Sequence, residues 1–184
     1  MSSPASTARY TYDDLASFPD DGLRRELIGG ELIVSPAPRF RHQDVAGELF
    51  YLLRRYSKEH GGKAGIAPLD VYFTHEDVVE PDVLYIRPDH LGRIEEKFIR
   101  SAPDIVVEVS SPSTPRLELV RKRSLYERHG VPDYWYVDLE ADRVEVYRLD
   151  KGRYGHPEIL ERGDKLTSPL LPSFAATIEE LLHP

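Results

Sequence analysis

PDIVVEVSSPST, residues 103–114, is the stretch on which the reading of this chain turns. Ile105, Val106, Val107 and Val109 form a short apolar run of the kind that fills a strand buried on both faces. Glu108 interrupts it. An unpaired carboxylate taken out of water costs several kcal/mol, so such a residue needs a cation or a metal beside it. The strand is therefore one side of a structural ion pair, with Lys122 or an arginine, or one wall of a metal site.

The segment VVEPDVLYI, residues 78–86, supplies a partner: Asp82 stands at the head of an apolar strand, directly after Pro81. Carboxylates on neighbouring strands can share one hard cation such as Mg²⁺ or Mn²⁺. Asp104 competes for this role. It lies on the same strand and face as Glu108, but four residues of strand separate the two by about 13 Å, which favours Asp82. Asp82 alone reads as a turn or strand cap after proline. Downstream, SPSTPRLELVRKRSLYERHG (111–130) opens with turn residues and becomes helical, ending at Gly130. Lys122 falls one turn from Glu118, with Leu119 and Tyr126 on its face. There it can make an ordinary surface pair, or point back to the end of the Glu108 strand and offset charge on a phosphate.

The remaining segments surround this pair. TYDDLASF (11–18) carries a helix start, and RRELIGGELIVS (24–35) reads as a hairpin turning at Gly29-Gly30. A helix is expected from Arg41 to His60, because Val45, Leu49, Leu52, Leu53 and Tyr56 recur on one face. LDVYFT (69–74) and PDVLYI (81–86) read as strands separated by an acidic loop. DHLGRIEEKFI (89–99) has no clear pattern. DYWYVD (133–138) and RVEVYRL (143–149) read as paired strands, RYGHPEIL (153–160) as a third, and TIEELL (177–182) as a closing helix. The expected fold is α/β: a mixed sheet flanked by helices, in one domain over residues 10–184 behind a flexible tail at 1–9.

Composition narrows the chemistry. The 184 residues are 40% hydrophobic and 30% charged, ordinary for a folded protein. There is no cysteine, which excludes disulfides, thiolate zinc sites and thiol nucleophiles. The net charge of −8 argues against loose electrostatic binding to nucleic acid, while leaving room for a local basic groove. No apolar leader or spanning run is present, so a cytoplasmic protein is expected. P-loop, dinucleotide-binding, zincin and nucleophile-elbow motifs are absent; GGKAG (61–65) only echoes the first. No two histidines share a metal-ligand spacing.

PD at 81–82 followed by EVS at 108–110 resembles the PD-(D/E)xK nuclease superfamily, the restriction-endonuclease-like fold. RRELIGGELIVSPAPRFRHQDVAGEL, APLDVYF, VVEPDVLYI, PDIVVEVSSPST, KRSLYERHGVPDYWYVD and GDKLTSPLLP together resemble one branch, the Uma-two family, over nearly the whole chain. The resemblance implies a restriction-endonuclease-like core with an acidic site at one end of a mixed sheet. It also implies that Ser110 replaces the superfamily lysine and that the helix lysine, Lys122, takes over. Glu26 and Glu31 match acidic positions of the family's hairpin, and His42 its RHQ block. Glu118 stands where the family has aspartate.

The resulting expectation is a Mg²⁺- or Mn²⁺-dependent phosphodiesterase acting on nucleic acid, with DNA preferred. Asp82, Glu108 and Lys122 form its catalytic group. Asp82 and Glu108 are the metal ligands, joined by the Val109 carbonyl, with Glu31, His42 and Glu26 as accessory residues. Arg39, Arg41, Arg116 and Arg121 are candidates for holding phosphates, although a solvated helix face explains them equally well. Glu31 can equally sit exposed beyond the hairpin, and His42 can serve as a helix-start hydrogen bonder. The aromatics of DYWYVD fit core packing as well as base stacking. The sequence leaves the oligomeric state open; nuclease-fold proteins of this kind often pair, and DYWYVD or the C-terminal strands could supply the edge of a homodimer. A nuclease-fold binding module without useful catalysis and a structural or regulatory protein are the alternatives.

Overall fold

A computed structural model describes residues 9–19, 21–110 and 116–183, with only the backbone at 116–118. The expected tail, apart from Arg9, the turn at 111–115 and the side chains of Arg116 and Glu118 lie outside the described residues. The order begins α1 (Tyr12–Leu15), β1 (Arg24–Ile28), β2 (Glu31–Ser35), α2 (Phe40–His60), β3 (Lys63–Ile66), β4 (Asp70–Thr74), β5 (Asp77–Val79) and β6 (Val83–Ile86). A 3₁₀ turn (Pro88–Arg93) leads to β7 (Phe98–Arg100), β8 (Ile105–Val109), α3 (Arg116–Arg128), β9 (Asp133–Asp138) and β10 (Arg143–Asp150). The chain closes with β11 (Arg153–Tyr154), β12 (Glu158–Leu160), β13 (Lys165–Leu166), β14 (Ala176–Thr177) and α4 (Ile178–Leu182).

The strands form a mixed main sheet, β11-β10-β9-β8-β6-β3 with β12 on β10, a second sheet β2-β1-β5-β4-β7, and the small pair β13-β14. Alternation along the central strand β8 assigns its side chains to two cores. Ile105, Val107 and Val109 join α2, through Val45, Leu49 and Leu53, together with α4 and the inner face of β9–β10. Val106 faces the other way, toward Leu125 and Tyr126 of α3 and toward Ile28, Val71 and Val79 of the second sheet. Leu49 and Leu53 are fully buried, each contributing about 2 kcal/mol relative to exposure. The main sheet is thus covered by α2 and α4 on one face and by α3 and the second sheet on the other, an α/β layering with helices flanking a mixed sheet.

Three segments differ from the sequence reading. The acidic loop contains β5, which pairs with β1 and β4; its flanking charges conceal a strand of only three residues. GGKAG contributes β3, paired with β6. The unpatterned connection holds the 3₁₀ turn and β7, which lies parallel to β4. Among the described residues, no helix is long and apolar enough to cross a membrane.

Candidate active site

β6 and β8 run antiparallel with Val83 opposite Val107 and Leu84 opposite Val106. One more step in that register brings Asp82 opposite Glu108, both on the face toward α3 and the second sheet. Side chains at directly opposed positions start about 5 Å apart, and two like charges there repel. Something cationic must stand between them.

Two cations do. Arg24, on β1 of the overlying sheet, places Nη1 2.8 Å from Asp82 Oδ1 and Nη2 3.7 Å from Glu108 Oε2. Its Nη2 also lies 3.3 Å from Glu26 Oε1 and donates to the Glu80 carbonyl. Lys122 reaches down from α3: its Nζ lies 2.9 Å from Glu108 Oε1 and 2.8 Å from Glu26 Oε1. One turn further along α3, the Tyr126 hydroxyl donates to Glu108 Oε1 at 2.5 Å. Asp82 Oδ2 accepts from the Val109 amide at 2.7 Å and faces His42 Nε2 at 3.2 Å. Glu26 Oε1 accepts from the Glu80 amide at 2.7 Å.

Three carboxylates, from β1, β8 and the residue just before β6, therefore meet around one arginine and one lysine, so the acids outnumber these two bases by one. All three acids are buried. Their ionisation divides accordingly. Burial pushes Asp82 up, but the His42 hydrogen bond and the Arg24 charge outweigh it and hold its carboxyl well below the usual range. Burial is likewise overcome at Glu26, by Lys122 and Arg24. At Glu108 burial prevails over Lys122, reinforced by the Asp82 and Glu26 charges, and its carboxyl is raised. Burial would deprotonate Lys122, yet Glu108 and Glu26 raise it and keep it cationic. Nearby Glu80 is pushed up to about 7, chiefly by burial.

The structure brings Asp82, Glu108, Lys122, Glu26 and His42 together. Glu31 stands apart: its side chain is 59% exposed and pairs with Arg121 at 2.6 Å, clipping the hairpin tip to α3. Asp104 is also elsewhere, accepting from the Arg87 amide and pairing with His90 Nδ1 at 2.7 Å. Ser110 Oγ accepts from the Leu139 amide at 2.8 Å, fastening the end of β8 to the turn after β9. Arg24 and Tyr126 complete the cluster, and no motif in the sequence marks either as a site residue. Arg24 had a signal: strand alternation puts it on the same face as Glu26, two residues on.

His42 and Ser110 also line a cleft of about 1100 Å³, together with Arg39, Arg41, Arg123 and Arg143 and the acids Asp138, Glu140 and Glu145. Arg41 is tied to the Leu139 carbonyl and to Asp142. Arg121 is engaged at the hairpin instead.

The donor chemistry of Asp82 and Glu108 fits a hard divalent cation, being all carboxylate oxygen. Glu108 Oε2 is the freest of these atoms, with the Arg24 guanidinium at 3.7 Å as its nearest cationic neighbour. Among the described residues no three His, Asp or Glu side chains are already grouped as a ligand set. Arg24 holds the interval that such an ion would share.

Comparison with known proteins agrees with this architecture. Residues 10–179 match the model of the Uma2 family, described as "Putative restriction endonuclease". A crystal structure from Anabaena variabilis, described as a "putative nuclease belonging to DUF820", superposes with a TM-score of 0.79 at 22% identity. The match covers 94% of this chain and 97% of that one, and it shows the shared fold. A search of curated proteins finds no match.

Proposed function

Because the chain belongs to the Uma2 family, we propose that it hydrolyses phosphodiester bonds in nucleic acid, with DNA as substrate and Mg²⁺ or Mn²⁺ as cofactor. The observation that carries this reading is the convergence of Glu26 and Glu108 upon Lys122, with Asp82 joined to the same cluster through Arg24. A purely structural ion pair needs one acid and one base; this cluster spends burial on an excess of acid.

Asp82 and Glu108, with the Val109 carbonyl, would hold the divalent ion, which would polarise a phosphate oxygen and make a water more acidic. Tyr126 fixes the orientation of Glu108 through Oε1, leaving Oε2 on the side of the Arg24 guanidinium that bridges to Asp82. The Val109 amide and His42 do the same for Asp82. Lys122, kept protonated by two carboxylates, stabilises negative charge that develops on the phosphate. Arg39 and, on release from Asp142, Arg41 on the adjoining cleft would hold the strand by its phosphates without reading its sequence.

A second reading, a nuclease-fold binding module, is favoured by one observation: Arg24 and Lys122 already neutralise most of the acidic charge. Incubation with supercoiled plasmid separates the two. The catalytic reading expects nicking that requires Mg²⁺ or Mn²⁺, stops with chelator, and slows at least about 100-fold in Lys122→Met. Retention of DNA without nicking in either metal would leave the binding module as the correct description.

A further inference from the structure

We infer that Arg24 is the resident counter-cation of the proposed metal site, and that the divalent ion enters by exchange with its guanidinium. The inference rests on the metal-dependent reading above.

Arg24 is positioned as a bridge. Its two Nη atoms address Asp82, Glu108 and Glu26, the acids that would otherwise repel one another. Charge balance then restricts what can share the space. Asp82, Glu108 and Glu26 outnumber Arg24 and Lys122 by one charge, and adding a dication with both bases in place would turn that balance positive in a buried site. If Arg24 leaves as the dication arrives, the charges cancel.

The two cations differ in their freedom to leave. The Arg24 side chain is 23% exposed, against 8% for Lys122. Arg24 comes from the overlying sheet and is held by its Nη ends alone, since its buried Nε has no hydrogen-bond partner. Lys122 is seated on α3 between two carboxylates, next to the Tyr126 hydroxyl that shares Glu108 Oε1. Arg24 is therefore the cation that yields.

A site occupied by its own side chain binds a ligand with an affinity reduced by the fraction of molecules in which that side chain is out. Removing the competitor should strengthen binding. Calorimetric titration of the whole chain with Mn²⁺ should show Arg24→Gln binding at least about tenfold more tightly than wild type. Equal or weaker binding by a folded Arg24→Gln overturns the exchange. Absence of binding in both proteins overturns the metal reading and the exchange together.

Wild type offers a second test that does not depend on the variant folding. In ¹⁵N spectra titrated with Mg²⁺, the Val109 amide reports events at Asp82, to which it donates. The Arg24 Nε–H, assigned through its own backbone, reports the guanidinium. A shift at Val109 with faster solvent exchange at Arg24 supports displacement. A shift at Val109 with Arg24 still protected refutes displacement while leaving the metal site intact. No shift at Val109 removes the metal site itself.

Discussion

Asp77, which opens β5, and Asp82, just ahead of β6, lie five residues apart, and both are buried beside cations, yet their situations are opposite. Asp77 is one acid among donors. It accepts from the Gly29 amide at 2.8 Å, pairs with His129 Nε2 at 2.8 Å and meets Arg128 at 3.0 Å. Burial is outweighed there by the His129 hydrogen bond and those of Gly29 and Arg128, and its carboxyl falls to about 2. Every charge has an answer, and the result is a clamp joining the β1–β2 hairpin to the end of α3. Asp82 belongs instead to a cluster in which acids outnumber fixed bases, and the surplus appears at Glu108 as a raised carboxyl. A fold gains nothing from that surplus. Its presence is the physical reason behind the proposal that the second region serves chemistry and the first structure.

The contrast can be broken most severely at Lys122. Lys122→Ala leaves Glu26 and Glu108 buried against each other with only Arg24 between them. Urea unfolding at neutral pH should register a loss of about 3–5 kcal/mol. A loss below about 1 kcal/mol would mean that the acids are better hydrated than the cluster geometry implies.

Glu108→Gln should move stability the other way. A carboxyl raised by the fold favours folding while protonated, and that contribution is lost as pH rises through its folded value. Removing the charge leaves two acids facing two bases, so thermal unfolding at pH 7 should show a gain of about 1 kcal/mol while nicking activity disappears. Equal losses of stability and activity would mark Glu108 as an ordinary structural ion.

Asp77→Asn sharpens the other side of the comparison. With a depressed carboxyl, the ionised form stabilises the fold above the ordinary value of 3.8, and that stability is lost as pH falls toward about 2. Allowing for the solvent around Arg128, the variant should be about 1 kcal/mol weaker at pH 7. The gap should close in acid, as followed by circular dichroism from pH 7 down to about 2. A gap that persists at low pH would show that shape rather than charge holds the clamp. The smallest effect is expected at Glu31→Ala, an exposed pair with Arg121, where stability should change by less than about 0.5 kcal/mol and Mn²⁺ affinity not at all. A fall in affinity would bring the hairpin tip into the site.

Much of this was legible from local patterns. The apolar run around Glu108, the strand headed by Asp82, the glycine hairpin and the repeat of Val45, Leu49 and Leu53 each carry their own periodicity. Asp82 and Glu108 pair in the sequence because adjacent strands can hold opposed acids. Arg24 was hidden because its place depends on a second sheet folding over the first, through pairing of β1 with β5, a strand too short and too charged to announce itself. The relation of Glu26 to Glu31 had the same obstacle. Both lie on one face of the hairpin, and only the overlay of α3 decides that Glu26 meets Lys122 while Glu31 meets Arg121. Tyr126 follows Lys122 by one helical turn, but the tight contact with Glu108 requires the distance between α3 and β8.

The most direct measurement is anomalous diffraction from a crystal soaked in Mn²⁺. One peak is expected between Asp82 and Glu108, with an oxygen of each at about 2.1 Å, and Arg24 swung clear of both. Full Mn²⁺ occupancy elsewhere, or none at all with Arg24 still joined to Asp82, would contradict that arrangement.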